Sequence, residues 1–527
     1  MSGPATRLAG DALVSGPMPH QAAAPGEIVL LAPPDRMRAW LPRLAEALGQ
    51  RLSVPVRLLR SPVPLPAEPP LPSEPVERRL FGTTAQDLAA WMPTAALPQA
   101  AAVAPTALVV NATGQDPTSL PDSLRSAWIL SLLHHGRFET GGLAAPLLAG
   151  EAPHLGVLLG TPEASRLLLG ARLAVPQRDA LGHALDSILG RAVTLLCLAA
   201  EHLLTGRPLP EPAPLPEPEA GLRAASYWPR RLASATLPKF GRQFTKPLLR
   251  YEDWCFGYRR QQGAGSPLDL SLDAASFRIL DSSPDRFYAD PVIFAHEGVT
   301  AIFFEDYDYT THRGRISHVV LDAEGRASAP VETLTLPYHL SYPFVFRVGE
   351  DVLMIPESSE NRTIQLWEAE RFPDRWRLRS VLMEDIEAAD TTLHFDHGTG
   401  LWWMFAAVTE YGSCSHDTLS LFSSERLEGP WLPHPGNPVK LDPGTARPAG
   451  PLVEWEGRLF RPAQDCTASY GAGLVWCEIQ ELSRERYRET VVARHAAPRG
   501  YTGIHTYGRG GGFEVADFKR NRWRRGG

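Results

Sequence analysis

Polar residues recur at one place in a repeated pattern along the second half of the chain. Each copy has a small residue, a polar or aromatic residue, usually a proline, an apolar strand, a turn with glycine, and a second apolar strand. The variable residue is Asp290, Tyr342, Asp390 and Arg447 in turn, so the steps are 52, 48 and 57 residues. A carboxylate in such a position can activate water or donate a proton, and a guanidinium can bind an anionic group.

The spacing of the copies predicts the architecture that positions these residues. Internal repeats of about 40–50 residues with several strands each are typical of a β-propeller, in which each copy forms one blade around a central channel. The variable residues open the first strand of each copy, so we expect them to converge on one axial funnel. Further polar residues at comparable places in the blades are assigned to the same funnel as candidate site residues: Glu305, His339, Glu357, Gln464, Asp465 and His505.

Composition narrows the classes of function. The chain has 527 residues, 50 of them proline, and its hydrophobic content of 44% allows more than one core. A net charge of −7 gives no electrostatic case for a nucleic-acid partner. The five cysteines lack paired spacing, which argues against a disulfide framework and a zinc site, and no cofactor or metal is predicted. The N-terminus lacks a basic segment followed by an apolar run, so we expect a cytoplasmic protein.

The N-terminal part of the chain has an α/β pattern that predicts an open, mostly parallel sheet. Buried strands are predicted at residues 27–31 and 107–114, with helices around 37–48 and over 178–204. The apolar stripe of the last helix has 3.6-residue spacing, which favours a docked helix over a membrane span. The predicted domains are a disordered segment at 1–25, an α/β domain at 26–207, a proline-rich linker at 208–249, an all-β propeller at 250–518 and a basic tail at 519–527.

One passage of the α/β domain resembles the methionyl-tRNA formyltransferase family, through residues 134–136, 141–142, 147–151 and 156–157. The resemblance implies a site in which Asn, His and a later Asp polarise the formyl carbonyl of a folate donor. Here the Asn position falls on Leu132 or Leu133, and no Asp follows Val157. We therefore expect His134 or His135 near the strand ends, with no Asn and Asp facing it. A degenerate domain that docks a protein partner is the favoured interpretation, and residual formyl transfer is the alternative.

The propeller resembles the five-bladed arabinanase and xylosidase glycosidases. Residues 287–291 are similar to their first-blade motif, whose Asp is the general base, and the segment after Asp390 is similar to their third-blade motif, whose Asp orients the acid. The resemblance implies these roles for Asp290 and Asp390 in an inverting displacement, in which acid and base stand about 6.5–9.5 Å apart. These enzymes carry Glu-Gly-Pro where this chain has Arg447. The acid is therefore open between Glu357, the preferred candidate, Glu305 and Asp465.

A more specific resemblance covers about residues 250–517. Seven motifs in one order resemble the propeller domain of the glucosamine inositolphosphorylceramide transferase family: FYADP, FFED, HLSYPF, IPES, ARPAG, RPAQD and GIHTY. In that family bacterial chains join the propeller to a formyltransferase-like domain, whereas the plant enzyme has a separate glycosyltransferase domain, of which we see no sign here. The resemblance implies a sugar or glycoconjugate substrate in polysaccharide or glycolipid metabolism.

Hydrolysis, transfer and binding stay open as functions of the propeller. A glycosidase-like or glycosyl-transfer-associated enzyme is one hypothesis. The alternatives are a non-catalytic carbohydrate-binding propeller, in which Arg447 clamps a uronate or phosphate, and a scaffold in a glycan assembly pathway. His339 and His505 are expected to be buried imidazoles, and a cation held with the carboxylates at the channel mouth is the alternative.

Overall fold

A computed structural model describes residues 26–63, 71, 73–101, 107–125, 127–160, 164–217, 224–245, 249–261, 266 and 270–523. The segment predicted to be disordered and the last four residues of the basic tail lie outside these residues. The chain divides into two compact units. One is Met1–Pro238 with Glu410–Ser413, and the other is Lys239–Thr409 with Cys414–Gly527.

The first unit is an α/β domain with a six-stranded mixed sheet. Its strands are β1 (Ile28–Ala32), β2 (Arg36–Arg38), β3 (Val56–Arg60), β4 (Trp91–Pro93), β5 (Leu108–Asn111), β6 (Trp128–His134), β7 (His154–Gly160) and β8 (Ser165–Arg172). The sheet order is β3-β1-β5-β6-β7-β8, in which the first four strands are parallel, whereas β7 and β8 are antiparallel to their neighbours. Strands β2 and β4 form a separate antiparallel pair.

The helices cover the sheet and continue into the region predicted as a linker. The α-helices are α1 (Trp40–Leu52), α2 (Glu74–Phe81), α3 (Asp122–Arg125), α4 (Ala144–Ala149), α5 (Leu181–Thr205), α6 (Ala224–Arg231) and α7 (Leu237–Thr245). A π-helical turn, Leu232–Thr236, joins α6 to α7. Two short 3-10 helices lie at Pro117–Ser119 and Thr140–Leu143.

Helix α5 is the long apolar helix that the sequence predicts. By length and composition it is able to cross a membrane, but 78% of its most apolar window is buried inside the protein, as in a core helix. Gly206 ends it in the left-handed conformation, with φ of 72°, and donates its N–H to the His202 carbonyl. Asp186 is buried on this helix. Its carboxylate accepts the backbone N–H groups of Thr84 and Ala89, so its burial is compensated by hydrogen bonds.

The second unit consists almost entirely of strands. They are β9 (Leu249–Arg260), β10 (Arg278–Leu280), β11 (Arg286–His296), β12 (Val299–Asp308), β13 (Arg313–Leu321), β14 (Val331–Leu334), β15 (Ser341–Val348), β16 (Asp351–Glu357), β17 (Thr363–Arg371), β18 (Arg375–Glu384), β19 (Ala388–Asp396), β20 (Leu401–Val408), β21 (Thr418–Ser424), β22 (Leu432–Pro433), β23 (Lys440–Leu441), β24 (Val453–Trp455), β25 (Arg458–Asp465), β26 (Gly473–Leu482), β27 (Tyr487–Ala496), β28 (Tyr507–Gly510) and β29 (Phe513–Trp523). Short 3-10 helices lie at Ala274–Ser276, Ser359–Asn361 and Ser415–Asp417.

These strands form the five blades of a β-propeller, as predicted. Blades 1, 2 and 4 are β11–β14, β15–β18 and β24–β27, and blade 3 is β19–β22 with β23 beside β21. Blade 5 has the order β10-β9-β29-β28. It therefore pairs strands from the two ends of the propeller segment, and β9 contains the predicted start at residues 254–258.

The inner strands of blades 1 to 3 share one backbone irregularity. In each of them the pairing register shifts directly after the small residue of the repeated motif. The variable residue that follows has a positive φ: 50° at Asp290, 40° at Tyr342 and 53° at Asp390. A bulge re-aims the side chain, and a residue other than glycine keeps a positive φ only where its surroundings hold it there. The sequence repeat is thus also a repeat of backbone conformation.

Candidate functional site

Asp390 and Arg447 form a buried ion pair between blades 3 and 4. Arg447 donates from Nε to Oδ2 of Asp390 at 2.6 Å and from Nη2 to Oδ1 at 3.2 Å. Its Nη1 donates to Ser415 Oγ at 2.6 Å. Gln464 donates from Nε2 to Asp390 Oδ2 at 2.7 Å. Most of the donors that an anion clamp would need are therefore directed at protein atoms.

Glu357 lies next to this ion pair. It stands opposite Ser341 in the β15–β16 pairing. Its Oε2 accepts the backbone N–H of Asp390 at 3.3 Å and lies 3.8 Å from Arg447 Nη2, and its Oε1 accepts from Ser359 Oγ at 2.8 Å. Both carboxylate oxygens of Glu357, the acid that the sequence prefers, are thus engaged by protein donors.

Glu305 occupies the corresponding place in blade 1, opposite Ala289 in the β11–β12 pairing. It is 6% exposed, and its one polar contact among the described residues joins Oε1 to Nε2 of His339 at 3.5 Å. Nδ1 of His339 accepts the backbone N–H of Gly314 at 2.9 Å, so the neutral ring carries its proton on Nε2. Burial raises the pKa of Glu305 well above its usual value, and the charges of Asp290 and Glu357 raise it further.

Asp290 lies against a histidine and a second aspartate contributed by the C-terminal part of the propeller. Its Oδ1 accepts from Thr506 Oγ1 at 2.9 Å and lies 3.4 Å from Nε2 of His505. Nδ1 of His505 lies 2.5 Å from Oδ2 of Asp517. Asp517 also accepts the backbone N–H groups of Asp290 at 3.1 Å, His505 at 2.9 Å and Thr506 at 3.0 Å. The imidazole therefore stands between two carboxylates.

Aromatic packing fixes the plane of the His505 ring. Trp254 stacks on it with a centroid distance of 3.9 Å and an interplanar angle of 21°, and Tyr470 meets it edge-on at 5.1 Å. Gly471 has φ of 61°, and a Cβ there would lie 2.8 Å from the His505 Cβ. Only glycine fits this close approach, so the loop before β26 is adapted to the histidine.

Burial sets the charge states of the aspartates and histidines of this region. It raises the pKa of Asp290, against the opposing effect of His505. Burial also raises the pKa of Asp390, whereas the guanidinium of Arg447 opposes this rise and stabilises the carboxylate. For His505, burial lowers the pKa, but Asp517 and Asp290 outweigh it, so that the pKa is raised. Burial together with the charge of Arg447 lowers the pKa of His416 to about 3, so this imidazole is neutral.

The predicted site residues converge in part. Electrostatic interactions link Asp290, Glu305, Glu357, Asp390 and Arg447, which are named here the funnel cluster. Gln464, His339 and His505 contact members of this cluster. The propeller thus brings together residues that are up to 157 positions apart in sequence.

Two of the predicted residues, Tyr342 and Asp465, neither belong to the funnel cluster nor form one of the direct contacts with it described above. Tyr342 is fully buried in the apolar cluster between blades 2 and 3, and its hydroxyl is 2.8 Å from Thr392 Oγ1. This position gives no support to a role in ligand binding, since its aromatic ring fills the interblade core. Asp465 contacts the Thr467 N–H at 3.0 Å and Arg494 at 3.4 Å, on the more exposed side of β25.

Sequence reasoning missed several residues around His505. These are Trp254, Ser415, Tyr470, Thr506 and Asp517. For Asp517 a signal was present, because it is an acidic residue flanked by the apolar residues Ala516 and Phe518 in a strand. The others carry no comparable signal, since serine, threonine and aromatic residues are common in loops and blade cores.

Asp290, His505 and Asp517 also form a group with potential metal-ligand atoms within 4.8 Å of one another. Their oxygens and ring nitrogens already face each other and the N–H and O–H donors given above. Donors directed at the carboxylate oxygens compete with a cation for the same lone pairs. The group therefore fits an internal hydrogen-bonded arrangement better than a cation site.

The first unit has a separate cleft at the carboxyl ends of β1, β5 and β6. It is lined by Pro33, Met37, Arg38, Trp40, Leu41, Trp91, Asn111, Ala112, Gly114, Gln115, Leu132, His134, Phe138 and Thr140. The expectation that no asparagine faces the histidine is wrong in one respect, because Asn111 shares this cleft with His134. It comes from the neighbouring strand β5, not from β6. No carboxylate is among these lining residues, and Asn111 donates to the Gln115 carbonyl at 2.9 Å.

Comparison with known proteins identifies the propeller. Residues 259–506 match the family model described as glucosamine inositolphosphorylceramide transferase 1, N-terminal. The predicted family resemblance of the propeller is confirmed. The formyltransferase resemblance of the first unit stays a prediction.

Relatives of this name occur in plants. The chain is 33% identical over 214 residues to glucosamine inositolphosphorylceramide transferase 1 of Oryza sativa subsp. japonica, a match that covers 40% of this chain and 28% of the relative. It is 31% identical over 252 residues to the protein of the same name from Arabidopsis thaliana, which covers 47% of this chain and 32% of the relative. The match thus spans about a third of the length of these relatives.

Solved structures with a similar fold include two sugar-cleaving enzymes. An exo-beta-1,3-galactanase from Phanerochaete chrysosporium has 10% identity and a TM-score of 0.32, over 47% of this chain and 65% of the other. An alpha-L-arabinanase from Cellvibrio cellulosa has 14% identity and a TM-score of 0.29, over 39% of this chain and 77% of the other. These values are too low to carry an argument about activity.

Proposed function

We propose that the propeller binds a sugar or glycoconjugate at the funnel cluster and acts on it by acid–base chemistry, as a glycosidase-like or glycosyl-transfer-associated enzyme. One observation carries the proposal: two buried carboxyl groups have different partners. Asp290 faces the imidazole of His505, which opposes the rise of its pKa on burial, whereas nothing among the leading influences on Glu305 opposes that rise. Environments that drive the pKa values of two carboxyl groups apart are how one site provides both a base and an acid.

The proposed roles follow from these environments. Asp290 is the base that removes a proton from water or from an acceptor hydroxyl. Glu305 is the acid that protonates the leaving oxygen, and it is preferred to Glu357, both of whose oxygens already accept hydrogen bonds from protein groups. Asp390, held by Arg447 and Gln464, orients the neighbouring groups. The bond between the sugar carbon and the leaving oxygen breaks as that oxygen takes the Glu305 proton. The incoming oxygen bonds to the same carbon and loses its proton to Asp290.

The relatives support the substrate class. Their name combines glucosamine, inositolphosphorylceramide and transferase, so a sugar and a lipid headgroup are the groups to test first. The match covers about a third of the length of these relatives, so the activity of the whole relatives is not assigned to this chain. A protein partner at the first unit and a cytoplasmic location remain predictions from the sequence.

The proposal is tested in two steps with the full chain. Saturation-transfer NMR with glucosamine, N-acetylglucosamine, galactose, arabinose and inositol phosphate first identifies ligands. Glycosides and activated sugars of the binding class are then incubated with wild type, D290N and E305Q, and products are detected by mass spectrometry. Saturation transfer that disappears in a funnel variant, together with turnover by wild type, supports the enzyme. No binding of any sugar at millimolar concentration contradicts the proposal.

A binding module is the second candidate, and it is favoured by one observation. The fourth-blade position that carries an acid in related glycosidases is Arg447, which is engaged by Asp390 and Ser415. If the wild type binds sugars at the funnel cluster but converts none of the tested donors, the propeller is a carbohydrate-binding module.

A further inference from the structure

We infer that His505 and Asp517 are positioning residues that favour the ionised form of Asp290 against the effect of its burial. The inference rests on the proposed function, in which Asp290 is the base. It adds two residues from blade 5 to a site otherwise made by blades 1 to 4. It also assigns a purpose to the buried aspartate–histidine–aspartate arrangement, which the acid–base roles alone leave unexplained.

Asp290 needs a positive neighbour if it is to act as a base. It is 4% exposed, and an isolated carboxylate is strongly disfavoured at such a place because burial removes its hydration. The hydroxyl of Thr506 supplies one hydrogen bond, but it carries no charge. The cationic form of His505, 3.4 Å away through Nε2, is the group placed to balance the carboxylate.

Asp517 supplies the second half of the arrangement. Three backbone N–H groups fix its carboxylate, and those of His505 and Thr506 belong to the segment that carries the imidazole itself. The carboxylate is 0% exposed and meets Nδ1 on the side of the ring opposite to Asp290. A buried carboxylate at Nδ1 that sets the orientation and stabilises the charge of an imidazole is the role of the aspartate in hydrolase triads. Here Nε2 faces a carboxylate in place of a hydroxyl.

The other titratable groups around His505 do not supply this charge. Among the described residues, those that interact with its ring or its charge are Asp290, Asp390, Asp517, His416, Tyr470 and Trp254, with Lys519 over the outer face of Trp254. Asp390 is paired with Arg447, and His416 is neutral. Asp290 and Asp517 therefore remain the two carboxylates in direct contact with the imidazole, and their effect outweighs that of burial on the His505 pKa.

The ionisation is tested directly by NMR of the full chain labelled with ¹⁵N in the histidine rings. The chain has 16 histidines, and the His505 signals are assigned as those lost in H505Q. We expect both His505 ring nitrogens to stay protonated above pH 6.5, the usual histidine midpoint. In D517N the same ring should become neutral at a lower pH, because the partner of Nδ1 is no longer charged. H416Q is the control, since it removes a neutral imidazole from the same region and should leave the His505 signals protonated.

The result overturns the inference if no histidine of the wild type remains charged above pH 6.5, or if D517N leaves the His505 midpoint unchanged. Should H505Q fail to fold, the wild-type titration and its change in D517N still decide the question. The measurement needs no sugar, so failure of the proposed function leaves its outcome intact. If a substrate is found, the acid limb of the kcat profile should move to higher pH in D517N and H505Q. A merely structural role would lower the rate equally at every pH.

Discussion

Arg447 donates to both carboxylate oxygens of Asp390, 57 residues earlier in the chain, at 2.6 and 3.2 Å. Both side chains are less than a tenth exposed. The pair joins the first strand of blade 3 to the segment that begins blade 4. Its consequence is that the cation at the fourth-blade position is an internal partner, and the negative charge of Asp390 is balanced before any ligand arrives.

We therefore expect Arg447→Gln to destabilise the propeller strongly. It leaves Asp390 buried without its counter-charge, and breaking a buried pair from one side costs about 3–5 kcal/mol in the free energy of unfolding. Urea denaturation of the purified protein measures the loss. The double variant D390N with R447Q should recover much of it, because no charge is left unpaired. Equal stability of wild type and the single variant would contradict the buried ion pair.

Asp290→Asn should remove activity while the fold is preserved. The change is nearly isosteric, and the amide keeps an oxygen for Thr506, but it cannot accept a proton. General-base catalysis contributes about 10²- to 10⁴-fold in rate, so kcat should fall by that range with little change in sugar affinity. Circular dichroism and saturation-transfer NMR serve as controls for fold and binding. Full turnover by this variant would exclude Asp290 as the base.

Glu305→Gln and Glu357→Gln separate the two candidate acids. Glutamine retains size and polarity but cannot donate a proton to a leaving group. We expect about 10²- to 10⁴-fold loss for E305Q on substrates with poor leaving groups, and a clearly smaller loss for E357Q. Substrates with activated leaving groups should restore much of the E305Q rate, because they need little proton donation. A larger loss in E357Q would return the acid role to Glu357.

The protonation of Glu305 also predicts the alkaline limit of activity. An acid works only while it holds its proton, and burial raises the pKa of this group. Activity that depends on Glu305 should therefore persist to a pH above the usual glutamate range and fall as the pH rises through the raised pKa. A pH–rate profile of wild type shows this limb. In E305Q the limb should be absent from the residual rate on activated substrates.

Much of the propeller could be predicted from sequence because its repeat is both periodic and polar at one fixed place. The positions of Asp290 and Asp390 followed from that register. The bulges that give them a positive φ did not, since backbone conformation at a residue other than glycine has no compositional signal. Tyr342 has the same place in the repeat, but its aromatic ring packs in the apolar core between blades 2 and 3.

The contribution of blade 5 was harder to predict for a topological reason. His505 was found through the motif around it, but its partners Trp254 and Asp517 lie 263 positions apart. They meet because β9 and β29 pair across the whole propeller. No local pattern encodes such a pairing. In the first unit the sequence likewise did not predict that Asn111 lines the cleft of His134, because Asn111 lies on the neighbouring strand.

Acid should weaken the propeller through Glu489. Its side chain is nearly buried and accepts from Arg461 at 2.9 and 2.6 Å, and Lys440 lies 2.5 Å away. Burial would raise its pKa, but Arg461 and Lys440 lower it to about 2. A depressed carboxyl pKa stabilises the folded state above the unfolded value near 4.5, and this contribution is lost as the pH falls toward 2.

The size of that contribution is on the order of 3 kcal/mol, at about 1.4 kcal/mol for each pKa unit. Urea unfolding of wild type and E489Q at pH 7, 5 and 3.5 measures it. We expect the difference between the two proteins to be largest at pH 7 and to shrink with acid. A difference that does not depend on pH would show that Glu489 contributes by packing rather than by charge. E478Q is a matched control, because Glu478 pairs with Arg458 at the surface.

The cleft of the first unit should not catalyse formyl transfer. His134 and Asn111 line it, but no carboxylate is among its lining residues, and Asn111 is engaged by its own turn. We expect no loss of formyl groups from a formyl-folate donor incubated with the full chain, followed by absorbance. Transfer that disappears in H134A would contradict the degenerate interpretation.

Blade 5 has a consequence for the order in which the molecule is made. A ribosome delivers the chain from its N-terminus, and domains tend to fold as they emerge. All strands of blades 1 to 4 are synthesised before residue 500. Blade 5 is completed only when β28 and β29 have been synthesised and pair with β9. Until then Asp290 has neither His505 nor Asp517 beside it. The ring of blades and the contacts of Asp290 with His505 and Asp517 are therefore completed in the same final step of synthesis, and a nascent chain that stalls before that step has neither.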